Sequence, residues 1–265
     1  MIYCNLKGGL GNMFFQIATA VSFAHDLNTK PSFPNKLQHL KYLNEDNTYN
    51  PSLKHSFSYE AILDGLLIKQ PEAGLNTFKF PFEYTELKIT DNCIIDGFFQ
   101  SEKYFKHNRQ IVGNRLCAPD HINKEIEIKH GHKLKGITTS IHVRRGDYIK
   151  YPNHHPVQTI EYYQKSVDLL KGKTDTFLIF SDDIEWCKNN LNIDNSIYIE
   201  KEKDYIELYL MAKCNNNIIA NSSFSWWGAW LNTNQDKTVI ATKNWFGSAI
   251  NEETKDIIPE KWIKI

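Results

Sequence analysis

The residues best suited to chemistry form a short run just past the middle of this 265-residue chain: His142, Arg144, Arg145, Gly146, Asp147 and Tyr148. A β-prone stretch, Ile137-Thr138-Thr139-Ser140-Ile141, leads into them, so the order reads as a buried strand ending in a charged loop. In an open α/β sheet, ligands sit outside the carboxyl ends of the strands, and arginines at such an end face that region. A guanidinium presents a planar fork of donors that matches phosphate oxygens. The pair therefore predicts a phosphate-bearing ligand, against the competing use of two arginines as a solvated loop edge.

Two more polar clusters fall where strands are expected to end: Ser181-Asp182-Asp183, and Asn221-Ser222-Ser223-Phe224-Ser225 at the start of an expected helix. Serines there, with the unpaired N–H groups of a first helical turn, suit phosphate oxygens. A carboxylate accepts the paired N–H donors of a guanine edge. Each cluster also has a structural use. Ser222, Ser223 or Ser225 serves as a helix N-cap, Asp182 and Asp183 cap the next helix, and Trp226-Trp227-Gly228-Ala229-Trp230 forms helix core. An aspartate pair also suits a metal, but Asp-x-Asp occurs nowhere in the chain and no metal is expected.

Near the start, Ile2 to Leu6 reads as a strand, Lys7-Gly8-Gly9-Leu10-Gly11-Asn12 as a tight loop, and Met13 to Leu27 as a helix. This opens a Rossmann-like unit, although the third glycine of the dinucleotide fingerprint is missing. Gly11 lets backbone approach a ligand, and Asn12 with Gln16 one turn later offers amides to sugar hydroxyls. Cys93 to Asp96 reads as another strand, running into Gly97-Phe98-Phe99-Gln100. Phe99 and Gln100 predict a sugar platform, with core packing the main competing use of the rings.

Composition narrows the partners. Lys plus Arg balance Asp plus Glu at 31 each, so nothing pulls the whole chain toward nucleic acid or anionic membrane, and anion binding must be local. The five cysteines are odd in number and lack metal or redox spacing, which predicts reduced thiols and a cytoplasmic location. No secretory signal or membrane span is expected, leaving peripheral membrane association as the one membrane contact.

The elements that must position these groups are clearest in the second half. Strands at 137–143, 176–180, 196–200, 217–220 and 238–242 alternate with helices near 158–170, from Asp183, at 204–213 and at 224–231. That alternation predicts a parallel, Rossmann-like sheet whose polar strand ends share one edge. Residues 28–90, broken by Pro31, Pro34, Pro51, Pro71 and Pro81, predict loops and short elements only. A charged stretch before residue 136 suggests a domain boundary, giving domains 1–130 and 131–265.

Taken together the motifs resemble the α-1,2-fucosyltransferases of glycosyltransferase family 11. The likeness rests on Gly8-Gly9-Leu10-Gly11-Asn12-x-x-Phe15-Gln16, Gly97-Phe98-Phe99-Gln100-Ser101, His142-x-Arg144-Arg145-Gly146-Asp147-Tyr148, Ser181-Asp182-Asp183 with Trp186, and Asn221 to Gly228. The resemblance implies a GT-B-type α/β architecture of two Rossmann-like domains with a cleft between them. The N-terminal domain would serve the acceptor and the C-terminal one GDP-fucose. It implies inverting transfer of L-fucose from GDP-β-L-fucose to a galactose 2-hydroxyl of a glycan, without metal or other cofactor. Arg144, Arg145, Asp147 and Asn12 become the catalytic candidates. Gly11, Asn12, His142, Arg144, Arg145, Asp182, Asp183, Asn221, Ser222, Ser223, Phe224 and Ser225 become the donor-binding set, and Gln16, Phe99 and Gln100 the acceptor set. Asp147, Asp96 and Glu60 are nominated as general base, against the alternatives that Asp147 only orients the arginines and that a dissociative transition state needs no strong base. Other fucosyl linkages, α-1,6 or protein O-linked, and a non-catalytic sugar or nucleotide module are the alternatives.

Overall fold

The computed structural model describes residues 1–36, 59–86, 88–250 and 254–265, so Pro51 lies outside the described residues. The chain divides into two compact units, Met1–Pro119 with Lys203–Tyr205 and Lys255–Ile257, and Asp120–Glu202 with Ile206–Thr254 and Ile258–Ile265.

The first unit is built on a parallel sheet of β1 (Ile2–Cys4), β2 (Pro31–Ser32), β3 (Thr77–Lys79) and β4 (Cys93–Asp96), ordered β2-β1-β4-β3. Strand β1 is buried throughout and pairs with both β2 and β4, Ile2 standing opposite Pro31 and Cys93. Proline is tolerated in β2 because that strand lies at the sheet edge. Helix α1 (Leu10–Asp26) packs on β1 and on α3 (Arg109–Leu116), and buries Met13, Phe14, Phe15, Ile17, Ala18 and Ala20. It stops where Asn28 takes a left-handed φ of 49° and Thr29 N–H reaches back to the Ala24 carbonyl at 2.8 Å. A short α2 (Glu60–Leu63) lies between β2 and β3.

The second unit opens with α4 (Asp120–His130). Its parallel sheet comprises β5 (Thr138–Val143), β6 (Thr176–Ser181), β7 (Ser196–Tyr198), β8 (Asn216–Ile219), β9 (Val239–Ala241) and β10 (Ile263–Lys264). The order β10-β9-β8-β5-β6-β7 makes the chain run outward in one direction from β5 and then in the other from β8. This is the doubly wound arrangement, with its switch point between β5 and β8. Helices α5 (Ile160–Leu170), α6 (Ile184–Asn190), α7 (Asp204–Lys213) and α8 (Ser223–Leu231) connect the strands. Every residue of β5 is buried, as expected of a central parallel strand. Two of its polar members are paired inside: Asn217 Nδ2 donates to Ser140 Oγ at 2.7 Å, and Thr138 N–H to Asn215 Oδ1 at 2.8 Å. Trp226, Trp227 and Trp230 of α8 are fully buried core.

Candidate active site

In the second unit the sheet order β8-β5-β6 sets three strand ends side by side, and these carry the three polar clusters. Arg144, just beyond β5, is held from two sides. Its Nη1 lies 2.9 Å from Asp182 Oδ2 beyond β6, and its Nη2 lies 2.6 Å from Asp147 Oδ1. Asp182 uses its other oxygen to accept the Arg145 backbone N–H at 2.9 Å. Gly146 makes this crossing possible, since a Cβ there would stand 2.6 Å from Asp182 Oδ2. Arg145 Nε donates to Asp183 Oδ2 at 3.0 Å, and its guanidinium lies 3.8 Å from the Trp186 ring centre. Burial lowers the Arg144 pKa, but the Asp182 and Asp147 carboxylates outweigh it and the net shift is upward.

His142, on β5 beneath this centre, is 4% exposed, and its Nδ1 has no hydrogen-bond partner among the described residues. Burial first, then the Arg144 charge, pushes its pKa down to about 3, so the ring is neutral. Its ring centre lies 5.5 Å from that of Phe224, in the first turn of α8. Tyr163 of α5 donates to the His142 carbonyl at 3.3 Å. Tyr148 donates its hydroxyl to the Asn221 carbonyl at 3.0 Å and stacks on His155 at 4.9 Å; burial pushes its pKa up to about 12.

The serine cluster divides by task. Ser222 is the N-cap of α8, its Oγ accepting the Phe224 N–H at 3.3 Å. Ser225 is buried and donates back to the Ser222 carbonyl. Asn221, expected to contact the donor, is instead a buried tie: its Nδ2 reaches the Pro156 and Trp245 carbonyls and its Oδ1 accepts from Gln158. Ser223 and Phe224 are the half-exposed members. Asp182 and Asp183, expected at guanine, are engaged in holding the arginines, and Asp183 Oδ1 also caps α6 through the Trp186 N–H at 3.3 Å.

In the first unit, the loop after β1 meets the end of β4, its neighbour in the sheet. Gly8 sits at a φ of +79°, and a Cβ there would stand 2.6 Å from Asn12 Nδ2. Asn12 Oδ1 accepts from Gln100 Nε2 at 2.8 Å, which leaves Gln100 Oε1 buried without a partner among the described residues. Gln16 is fully buried and its amide clamps both backbone groups of Lys7, at 2.9 and 3.2 Å, so it supports the loop rather than facing an acceptor. Phe99 is likewise core. It is fully buried at a φ of 52°, between Phe80 and Tyr104 with ring centres at 5.0 and 5.6 Å. The ring that reaches the surface is Phe98, stacked on Phe82 beside the Lys7–Asp96 ion pair. Glu60 is exposed at the start of α2, and Gly11 is buried within α1.

The sequence reading missed Gln158, Tyr163 and the flat contact of Trp186 on Arg145. Gln158 and Tyr163 lie in no recognisable motif, and Trp186 stood in the Ser181-Asp182-Asp183 motif with no role of its own assigned. Among the described residues, no group of three or more His, Cys, Asp or Glu side chains is placed to hold a metal ion.

An α-1,2-colitosyltransferase of Escherichia coli is 32% identical over 290 residues, spanning 100% of this chain and 99% of that protein. The galactoside α-(1,2)-fucosyltransferase 1 of Saimiri sciureus is 23% identical over 52% of this chain and 42% of its own. Among solved structures, the NodZ α-1,6-fucosyltransferase soaked with GDP-fucose shares the fold, with a TM-score of 0.51 at 13% identity over 87% of this chain and 92% of that one. The fold is GT-B-type, two α/β units each around a parallel sheet. The model for glycosyl transferase family 11 matches residues 1–265, and the chain is a member of that family.

Proposed function

We propose that this family-11 glycosyltransferase moves L-fucose from GDP-β-L-fucose to the 2-hydroxyl of a terminal galactose, inverting the anomeric centre without a metal. One observation carries the reading: Arg144 stands beyond β5 at the switch point of the second unit, 5.4 Å from the ring of Tyr148, whose hydroxyl donates to the Asn221 carbonyl just before α8, with Arg145 beside it on Asp183. As the sugar–phosphate bond breaks, negative charge grows on the departing β-phosphate while the sugar becomes oxocarbenium-like. Arginine can hold that charge in place of a metal. A pair of unit charges at about 4 Å in an effective dielectric of about 20 is worth roughly 4 kcal/mol, or about three decades of rate. The N–H groups opening α8 would receive the other phosphate.

In this reading the second unit binds the donor and the first serves the acceptor. Asp183, whose side chain is 34% exposed, keeps lone pairs for a guanine N–H beside its bond to Arg145. The five cysteines are unpaired and four are buried, which suits a reducing compartment, so we place the reaction in the cytoplasm. The name of the galactoside α-(1,2)-fucosyltransferase supports the linkage and the galactose acceptor, and the GDP-fucose soaked into NodZ, an α-1,6-fucosyltransferase, supports the donor.

The test is to incubate the chain with GDP-fucose and lactose, with and without a chelator, and to determine the product linkage. An α-1,2 product that survives chelation is expected. A different linkage, or no transfer, would overturn the reading. The full-length likeness to the colitosyltransferase favours a second donor, the corresponding GDP-linked colitose, which is L-fucose lacking its 3-hydroxyl. A site that hydrogen-bonds the 3-hydroxyl would reject colitose by about 10⁴-fold, while an apolar site would not exclude it. Competition between the two donors separates these readings.

A further inference from the structure

Three carboxylates face two guanidiniums in the arginine centre: Asp147 and Asp182 on Arg144, and Asp183 on Arg145. The protein's own charges at this spot are therefore net negative, which opposes the diphosphate this site is proposed to bind. One carboxylate has to give way, and the structure distinguishes them. Asp182 has a 12% exposed side chain and is also held by the Arg145 backbone N–H. Asp183 is fixed by Arg145 Nε and by its cap on α6. Asp147 has a 56% exposed side chain, begins a single 3-10 turn (Asp147–Lys150), and makes its one hydrogen bond among the described residues to Arg144 Nη2.

We propose that Asp147 is a displaceable stand-in for the donor's diphosphate. It keeps Arg144 aimed until a phosphate oxygen takes over Nη2 and the carboxylate turns to solvent. Asp147 is thus a positioning residue that competes with the ligand, an inference that rests on the reading of Arg144 as the diphosphate receptor.

The experiment is calorimetric titration of the full chain with GDP, and separately with inorganic pyrophosphate, at about 50 mM and about 500 mM salt. Asp147→Asn keeps an acceptor oxygen and loses the charge, and Asp147→Ala removes both. Both variants are expected to bind each probe roughly 5-fold more tightly than the parent at low salt, with the gap closing at high salt. The donor KM should fall in parallel. Equal or weaker binding by both variants would overturn the proposal and leave Asp147 as a simple brace. If the parent binds pyrophosphate but not GDP, the nucleotide assignment fails while the pyrophosphate ratio still decides the role of Asp147. If neither probe binds parent or variants, both ideas fall.

Discussion

Arg145 spends its guanidinium on Asp183 and on the face of Trp186, whereas Arg144, with a side chain 31% exposed, bridges Asp182 and the more exposed Asp147, contacts a lysine ammonium can still keep in part. The neighbouring arginines should therefore respond differently to the same change. Arg144→Lys keeps a charge but loses the planar fork, so transfer should fall by about 10²- to 10³-fold with stability moving by less than about 0.5 kcal/mol. Arg145→Lys loses the flat contact with Trp186 and the bond to Asp183, and should cost about 1–2 kcal/mol in urea unfolding. Equal stability losses in the two variants would contradict this division of labour.

His142 makes a pH-dependent prediction at the same scale. An imidazole ordinarily titrates near 6.5, and in the folded protein burial, then Arg144, pushes it down to about 3. Between those values the unfolded chain binds a proton that the folded chain does not. The contribution of the neutral ring is thus fully present above about 6.5 and drains away as the pH falls toward 3. Urea midpoints at about pH 7.5 and about pH 5 should diverge more for the parent than for His142→Gln, which has no group titrating there. Identical divergence would show that the folded protein tolerates the charged ring.

At the scale of elements, the site depends on holding β5 and β8 in register, because one ends in the arginines and the other in the cap of α8. Asn217 of β8 does much of this. Fully buried, it donates to Ser140 Oγ of β5 and to the Met211 carbonyl of α7, at 2.7 and 2.8 Å, and accepts from Asn232 beyond α8. Asn217→Ala should destabilise by about 2–3 kcal/mol, since it strands several buried polar groups at once. Ser222→Ala, which removes only the cap, should cost about 1 kcal/mol. A reversed order of the two losses in denaturant titrations would place the main brace at the cap instead. Strands β5 and β6 were legible in the sequence because a parallel strand buried on both faces leaves a run of β-prone residues, and β8 only through Ile218 and Ile219 after its two asparagines. The short strands β2, β3 and β10 leave no such run and are strands because longer neighbours pair with them. The site divides in the same way. Arg144, Arg145 and the aspartates carry their chemistry in their residue type. The inward turn of Gln16, Phe99 and Asn221 is instead set by packing partners distant in the chain.

At the scale of the molecule, tryptophan is confined to one half. All six, Trp186, Trp226, Trp227, Trp230, Trp245 and Trp262, belong to the second unit. Their fluorescence therefore reports that unit alone, while far-ultraviolet dichroism reports helices of both. If the donor binds the second unit, GDP at about 100 times its dissociation constant should stabilise the tryptophan-detected transition by about 2.7 kcal/mol. The formal charge of the chain is zero, so long-range attraction contributes little to this effect. Its sensitivity to salt should instead be that of the few charges around Arg144. Lactose, as acceptor, should leave the tryptophan transition in place when the dichroism transition moves, wherever the two transitions separate. A tryptophan midpoint indifferent to saturating GDP, with a dichroism midpoint that rose, would transfer the nucleotide site to the first unit and would reduce the arginine centre to a structural ion-pair network.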